Sequence, residues 1–213
     1  REAARRARAG AAGEPVHSLP LPSSFFPRCS DVTRPAHLND FVQDFECTAA
    51  AAVLQAFIND AGRGTTPLKV AEMAMRVARA ALTDNGAPAR RDARHAVALV
   101  AFVASGGAAS VGSEGVDGLL TAPVAAAQAL NSQLASEALE VLSALRERHP
   151  QAAAQDGGRN VWLLKPSYGS KGLGIRLFNH GVGRVLAEAD SQRIVQKYVE
   201  RPLTLDGRKF DLR

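Results

Sequence analysis

Asn160-Val161-Trp162-Leu163-Leu164-Lys165-Pro166 runs directly into Ser167-Tyr168-Gly169-Ser170-Lys171-Gly172-Leu173-Gly174-Ile175. The first seven residues form an apolar run of strand length, closed by a proline. Lys165 therefore stands at a strand exit facing a loop. Glycines at 169, 172 and 174 let backbone N–H groups approach an anion closely, and Lys171 adds a positive charge inside the loop. The pattern predicts a strand–loop–strand lid over phosphates, although a plain glycine hairpin satisfies the same spacing. The loop is not a Walker A motif, because no Gly-Lys-Ser or Gly-Lys-Thr occurs in it. Gly172-Leu173-Gly174 lacks the third glycine of the dinucleotide fingerprint and of the protein-kinase loop.

Downstream, Ile175–Phe178 reads as a second strand, Gly181–Asp190 as a loop with a short helix, and Arg193–Val199 as a third strand. Leu203–Leu205, the turn Asp206-Gly207 and Arg208–Arg213 read as a hairpin. Side chains alternate along a strand, so Lys209, Asp211 and Arg213 are expected on one face, with Phe210 and Leu212 in the core. Two cations bracketing a carboxylate suit phosphate neutralisation. A strand such as Val195–Val199 can offer its backbone to an adenine edge.

Upstream the period changes to that of helices. Leu38, Phe41, Phe45, Ala49, Ala52, Val53, Ala56 and Phe57 recur as an apolar, core-facing stripe and predict a helix over Ala36–Asn59, with Thr33 as its cap and Pro35 in its first turn. Further helices are expected from Thr66-Pro67 to Asn85-Gly86, from Asp92 to Ala104, and after Thr121 to His149, the last with Leu130, Leu134, Val141 and Leu145 on its apolar stripe and with Arg146 and Arg148 complementing its negative end. Gln151–Arg159 reads as a loop. Residues 1–24 read as a disordered basic and proline-rich lead-in, 25–150 as a mainly helical region, and 159–213 as part of a nucleotide-binding unit. Helices followed by strands indicate an α+β fold.

The chain has 213 residues, 46% apolar and 22% charged, an ordinary globular balance. No apolar run long enough to span a membrane is expected. Cys29 and Cys47 read as reduced thiols, and the five histidines show no metal-ligand spacing. Residues 159–213 carry eleven basic and five acidic side chains, a net +6, whereas the remainder is −1. The positive field is thus local and suits a polyanionic partner. A nucleic-acid interface is disfavoured, because the segment has few aromatics for stacking and several alternate into the core.

Four stretches carry a resemblance: Asn160–Pro166, Lys171–Ile175, Val195-Gln196-Lys197-Tyr198-Val199-Glu200-Arg201-Pro202-Leu203, and Asp206–Arg213. In this order they resemble the successive motifs of the tubulin–tyrosine-ligase-like family. Phe26-Pro27-Arg28-Cys29, Asp40–Phe45 and Thr48-Ala49-Ala50 are similar to its glycylase branch. Residues 60–158 show no such resemblance. At the lid position stands Lys171, where the glycylase branch usually has arginine; a lysine cannot make the same bidentate contact.

The resemblance implies an ATP-grasp fold in which two α+β lobes clamp ATP. By motif, Lys165 would meet the phosphates, and Lys171, Gly172 and Gly174 would form the lid. Gln196, Lys197, Tyr198 and Val199 would line the adenine pocket. Lys209, Phe210 and Asp211 would meet ribose and phosphates. Lys171 would also lie near the protein substrate, and Arg213 would face the phosphates or the acceptor carboxylate. The implied activity is ATP-dependent ligation of an amino acid, glycine foremost, to tubulin glutamates through an acyl phosphate. The implied partners are acidic tubulin tails and a free amino acid, with neither nucleic acid nor membrane. The implied setting is the cytoplasm and cytoskeleton, at the cilium or flagellum axoneme. The family's Mg²⁺-binding acid and asparagine lie further along the chain, so these residues alone are expected to be inactive. The alternative is a non-catalytic member that binds tubulin or nucleotide.

Overall fold

The computed structural model describes residues 26–60, 65–83, 93–106, 124–187 and 192–210. The lead-in at 1–24 and the residues Asp211, Leu212 and Arg213 lie outside them. The chain is mixed helix and sheet. Its elements in order are β1 (Cys29–Asp31), α1 (Pro35–Asn59), α2 (Leu68–Thr83), α3 (Ala93–Ala104), α4 (Val124–Arg148), α5 (Pro150–Gln155), β2 (Trp162–Pro166), β3 (Arg176–Phe178), α6 (Val182–Ala187) and β4 (Arg193–Lys197).

The four strands form one sheet in the order β1-β4-β2-β3, with all three pairings antiparallel. β1 was not legible as a strand. It is three residues long and is held by pairing Cys29 with Gln196 and Asp31 with Ile194. α5 replaces part of the expected loop, with Pro150 supplying the fixed φ of a first helical turn. The expected hairpin at the C-terminal end reduces, within the described residues, to its turn. Leu205 and Arg208 exchange two backbone hydrogen bonds of 2.9 Å around Asp206 (φ 50°) and Gly207 (φ 74°). Two consecutive positive φ values are what a two-residue hairpin turn requires.

α1 is long and apolar enough by length and composition to cross a membrane, contrary to the sequence expectation. Half of that stretch is buried inside the protein, and its apolar residues are spent on two cores. Its first half sends Phe41 and Phe45 against Trp162, Leu164 and Val195 of the sheet. Its second half sends Val53 and Leu54 against Val70, Met75, Phe102, Ala138 and Leu142 of the helical bundle. One helix therefore ties sheet to bundle.

Thr33 does not cap α1. The helix starts after Arg34 with no side-chain cap, and Thr33 instead donates from its N–H and hydroxyl to Asp31, at 3.1 and 2.6 Å. Arg148 stands in the last turn of α4, as expected, and reaches a second helix end as well. Its guanidinium donates to the carbonyls of Ala81 and Leu82 at 2.9 and 3.0 Å, neutralising the last turn of α2. Ala56 and Leu130, expected in the core, are exposed.

Trp162 is the centre of the sheet core and the chain's one tryptophan. Phe41 meets it edge-on at 5.2 Å between centroids. Its indole N–H donates to Asn160 Oδ1 at 2.8 Å, and Asn160 Nδ2 donates to the Phe45 carbonyl at 3.1 Å. A fully buried amide thus joins the strand entry to α1. Trp162→Ala should cost about 3–5 kcal/mol by cavity formation and lost aromatic contact. Urea unfolding followed by circular dichroism checks this; a loss under 1 kcal/mol contradicts the assignment of Trp162 as the core's centre.

Candidate functional site

The ladder register sorts the sheet's side chains onto two faces. Trp162 pairs with Lys197 and Phe178, and Leu164 pairs with Val195. These face α1. The intervening row, Cys29–Gln196–Leu163–Leu177, faces away, followed by Asp31–Ile194–Lys165. None of these outward residues belongs to the core, and Cys29 and Leu177 are exposed. The outward face therefore carries Lys165, half-buried, next to Gln196, which is buried. Lys165 Nζ donates to Gln196 Oε1 at 2.6 Å.

Lys165 also lines a cleft of about 260 Å³ together with Ser167, Gly169, Gly172, Leu173 and Ile194. The loop that forms its rim uses four left-handed residues: Gly169 (φ 111°), Lys171 (φ 60°), Gly172 (φ 74°) and Gly174 (φ 77°). It is braced where it leaves the sheet, since Arg193 donates to the Gly174 carbonyl at 3.3 Å and Ser167 N–H donates to the Gln192 carbonyl at 2.8 Å. Gly174 allows a close approach as well. A Cβ there would sit 3.1 Å from Pro166 Cγ. A glycine-rich rim with a lysine at its base can bind an anion such as a phosphate.

The sequence-selected residues divide. Lys165, Gly172 and Gln196 come together at the cleft and its adjoining face. Tyr198 and Lys209 meet each other, with Nζ 3.4 Å from the phenol oxygen and 5.5 Å from the ring centroid. Lys171 is exposed on the loop and does not line the cleft. Val199 is half-buried. Phe210 is exposed, not in the core as expected. Among the described residues, no group of three His, Cys, Asp or Glu side chains converges as a metal site.

Lys197 is placed differently from its neighbours. Its ammonium is fully buried on the core face. It donates to Glu200 at 2.7 Å and to the carbonyls of Val161 and Tyr198 at 3.0 Å each, and lies 3.5 Å from Asp156. What position 197 offers the outward face is backbone alone.

This lysine belongs to a charged cluster that sequence reasoning did not foresee. Arg28 donates to both oxygens of Asp156 at 2.9 and 3.0 Å and lies 3.2 Å from Asp44. Arg28 and Lys197 are each 5.6 Å from the Trp162 ring centroid. Glu200 additionally accepts the N–H groups of Arg159 and Val161 at 2.8 Å. Burial raises the Glu200 carboxyl, but the bonds from Lys197, Val161 and Arg159 outweigh it and hold the group below its usual range. The only signal was the weaker stretch from Phe26 to Ala50, which supplies Arg28, Asp44 and Thr48.

With the geometry in place, comparison with known proteins gives one family. Residues 120–213 match the Tubulin-tyrosine ligase family. The match begins at 120, so α4 and α5 fall within it, and the expectation that all of 60–158 resembles nothing is corrected from residue 120 onward. Tubulin glycylase 3B of Tetrahymena thermophila is 37% identical over 76 residues, covering 35% of this chain and 6% of that protein. Tubulin monoglycylase TTLL3 of Homo sapiens is 38% identical over 81 residues, covering 35% and 10%. Tubulin glycylase 3B of Drosophila melanogaster is 44% identical over 62 residues, covering 27% and 8%. The chain thus spans a tenth or less of the length of these curated relatives. No solved structure matches the chain.

Asp44 makes the cluster sensitive to pH. Burial, with Asp156 adding to it, pushes its carboxyl from 3.8 up to about 6 against the opposing pull of Arg28. Between those values the folded state holds a proton that the unfolded state lacks. The Asp44 contribution to stability is therefore greatest at low pH and is lost as pH rises through about 6. Asp44→Asn removes this loss. The stability of the variant relative to the parent should rise between pH 4 and pH 7, by up to about 3 kcal/mol. Chemical denaturation at the two pH values measures it, and a difference that is flat or falls with pH contradicts the raised Asp44 carboxyl.

Proposed function

We propose that this chain carries part of the nucleotide site of an ATP-dependent ligase that joins an amino acid, glycine foremost, to glutamate side chains of tubulin. The observation that carries the reading is the pairing of Lys165 with Gln196 on the outward sheet face beside the glycine-rich cleft. The family match and the glycylase relatives support the same class of chemistry. On this reading the nucleotide-binding unit is of ATP-grasp type, spans 159–213, and follows a mainly helical region at 25–150.

Lys165 would meet the phosphates from the strand exit, and the backbone N–H groups around Gly172 and Gly174 would close over them. Gln196, positioned by Lys165, would hold the purine side of the pocket with the backbone of Lys197, Tyr198 and Val199. Lys209, steadied on Tyr198, would approach ribose or phosphate with Phe210 and Asp211. Lys171 and Arg213 would face the acceptor. ATP would activate a tubulin carboxylate as an acyl phosphate, and the amine of the amino acid would displace phosphate to form the amide. The work of these residues is positioning and charge stabilisation. The described residues present no carboxylate cluster fitted to Mg²⁺, so no step is assigned to it here. The +6 segment suits acidic tubulin tails, and on this reading the protein acts on microtubules, including those of the axoneme.

The test uses the full-length protein with microtubules, Mg-ATP and labelled glycine, glutamate or tyrosine in separate reactions, with Lys165→Ala alongside. Glycine incorporation that Lys165→Ala abolishes is the expected result. Incorporation of another amino acid keeps the site and overturns the glycine assignment. No incorporation with ATP still bound favours a non-catalytic nucleotide-binding member. A second measurement reads the pocket directly. Cys29 pairs with Gln196 on the outward face, so maleimide labelling of its exposed thiol should slow several-fold under saturating ATP; unchanged labelling places the nucleotide elsewhere.

A further inference from the structure

The ladder between β2 and β4 runs from Pro166–Arg193 to Trp162–Lys197 and is ended there by side chains. The next pair, Val161 and Tyr198, keeps one ladder bond, from the Tyr198 N–H to the Val161 carbonyl at 3.1 Å. A hydrogen-bonded antiparallel pair would return a bond from the Val161 N–H to the Tyr198 carbonyl. Glu200 Oε1 takes that N–H instead at 2.8 Å, and Lys197 Nζ takes the carbonyl at 3.0 Å. The Lys197–Glu200 pair, 2.7 Å apart, is thus wedged into the last rung, and the chain leaves the sheet after Lys197.

Glu200 does this from a buried seat. Its side chain is 4% exposed, and its Oε2 accepts the Arg159 N–H at 2.8 Å. Donors from Lys197, Val161 and Arg159 therefore converge on the two carboxylate oxygens. A carboxylate accepts at both oxygens, whereas an amide accepts at its oxygen and donates at its nitrogen, so glutamine cannot serve all of them. Gly157 supplies the space. A Cβ there would lie 2.6 Å from Glu200 Cβ and 3.0 Å from Glu200 Oε2. Gly157 does not have a left-handed φ, so the position requires the missing side chain and not a special backbone.

We infer that Glu200, seated on Gly157 and paired with Lys197, is a positioning residue for the nucleotide base: it sets the course of the Tyr198–Val199 backbone at the edge that tells adenine from other purines. This role rests on the ligase reading and deepens it at the base end of the pocket. Tyr198 is held by both its backbone groups, so the segment beside the base has a fixed course before a nucleotide arrives. Lys165 stands apart from the wedge, at the Ile194 pair of the same ladder, where that reading puts the phosphates. A change at Glu200 is therefore felt by the base and not by the phosphates.

The test uses the full-length protein and isothermal titration calorimetry with ATP and with inosine triphosphate, which differs from ATP only at the purine edge. Wild type should bind ATP roughly ten-fold more tightly, the worth of a hydrogen bond or two at that edge. Glu200→Gln should remove most of this preference, weakening ATP several-fold while inosine triphosphate stays within about two-fold. Gly157→Ala displaces Glu200 without changing a charge and should do the same; it carries the test if circular dichroism shows that Glu200→Gln does not fold. Equal weakening of both nucleotides assigns Glu200 to stability alone and overturns the positioning role, as does failure of both variants to fold. Unchanged affinities in the variants, or a wild type that does not distinguish the two nucleotides, also overturn it. Each of these results leaves ATP bound by the wild type and the ligase reading standing. A wild type that binds no ATP overturns both together.

Discussion

A lysine ammonium with no exposure to solvent cannot be left without anionic and carbonyl partners, because an unpaired buried charge costs several kcal/mol. Lys197 is such a group, and much of the sheet's geometry follows from satisfying it. Its partners come from four places: Glu200 after β4, the carbonyls of Val161 and Tyr198, and Asp156 at the end of α5. Bringing them together clamps the entry to β2 against the exit of β4. Alternation along β4 then puts Gln196 on the opposite face, and the register with β2 puts Lys165 on that same face. A slip of one residue would drive the Lys197 charge outward and Gln196 into the aromatic core. The buried ammonium is thus the reason that Lys165 and Gln196 meet.

The second constraint is continuity between sheet and bundle. α1 contributes to both cores, and Arg28, just before β1, reaches across to Asp44 on α1 and Asp156 after α5. The Trp162 ring lies within cation–π distance of both Arg28 and Lys197. The stretch from Phe26 to Ala50 therefore acts on the sheet through charge and aromatic contact, although Cys29 alone of the residues named there lies on the outward face. Glu200 and Asp44 pull stability in opposite directions with pH, since the first is lowered by its donors and the second raised by burial.

Most of the helices and three of the four strands were legible because their periodicity is strong over many residues. β1 was not, since three residues carry no period, and its strand state comes from pairing with β4. Thr33 was misread as a cap because sequence does not show that Asp31 competes for its N–H and hydroxyl. Lys165 and the glycine loop were legible from residue type and order. Lys197 was not distinguishable from Lys165 by type. Only the parity of the ladder, counted from the buried Trp162, separates an outward lysine from an inward one. Ala56 failed for a related reason: alanine satisfies a core stripe and an exposed helix face equally well.

The loop over the cleft stands apart from this rigid frame. Lys171 is a non-glycine residue at φ 60°, followed directly by Gly172 at φ 74°. A lysine in the left-handed region costs roughly 1 kcal/mol relative to a glycine there. Two long backbone hydrogen bonds run inside the loop: Leu173 N–H to the Ser170 carbonyl at 3.3 Å and Ile175 N–H to the Gly172 carbonyl at 3.4 Å. Tyr168, Leu173 and Ile175 are exposed around it. The structure thus retains an unfavourable backbone conformation where few internal contacts reward it, while the bases of the loop are held by Arg193 and by Ser167. A segment with fixed ends and a weakly held, positively charged crest can close on an anion at low cost. The Lys197 ammonium, held by Glu200, two carbonyls and Asp156, ties down the sheet beneath it.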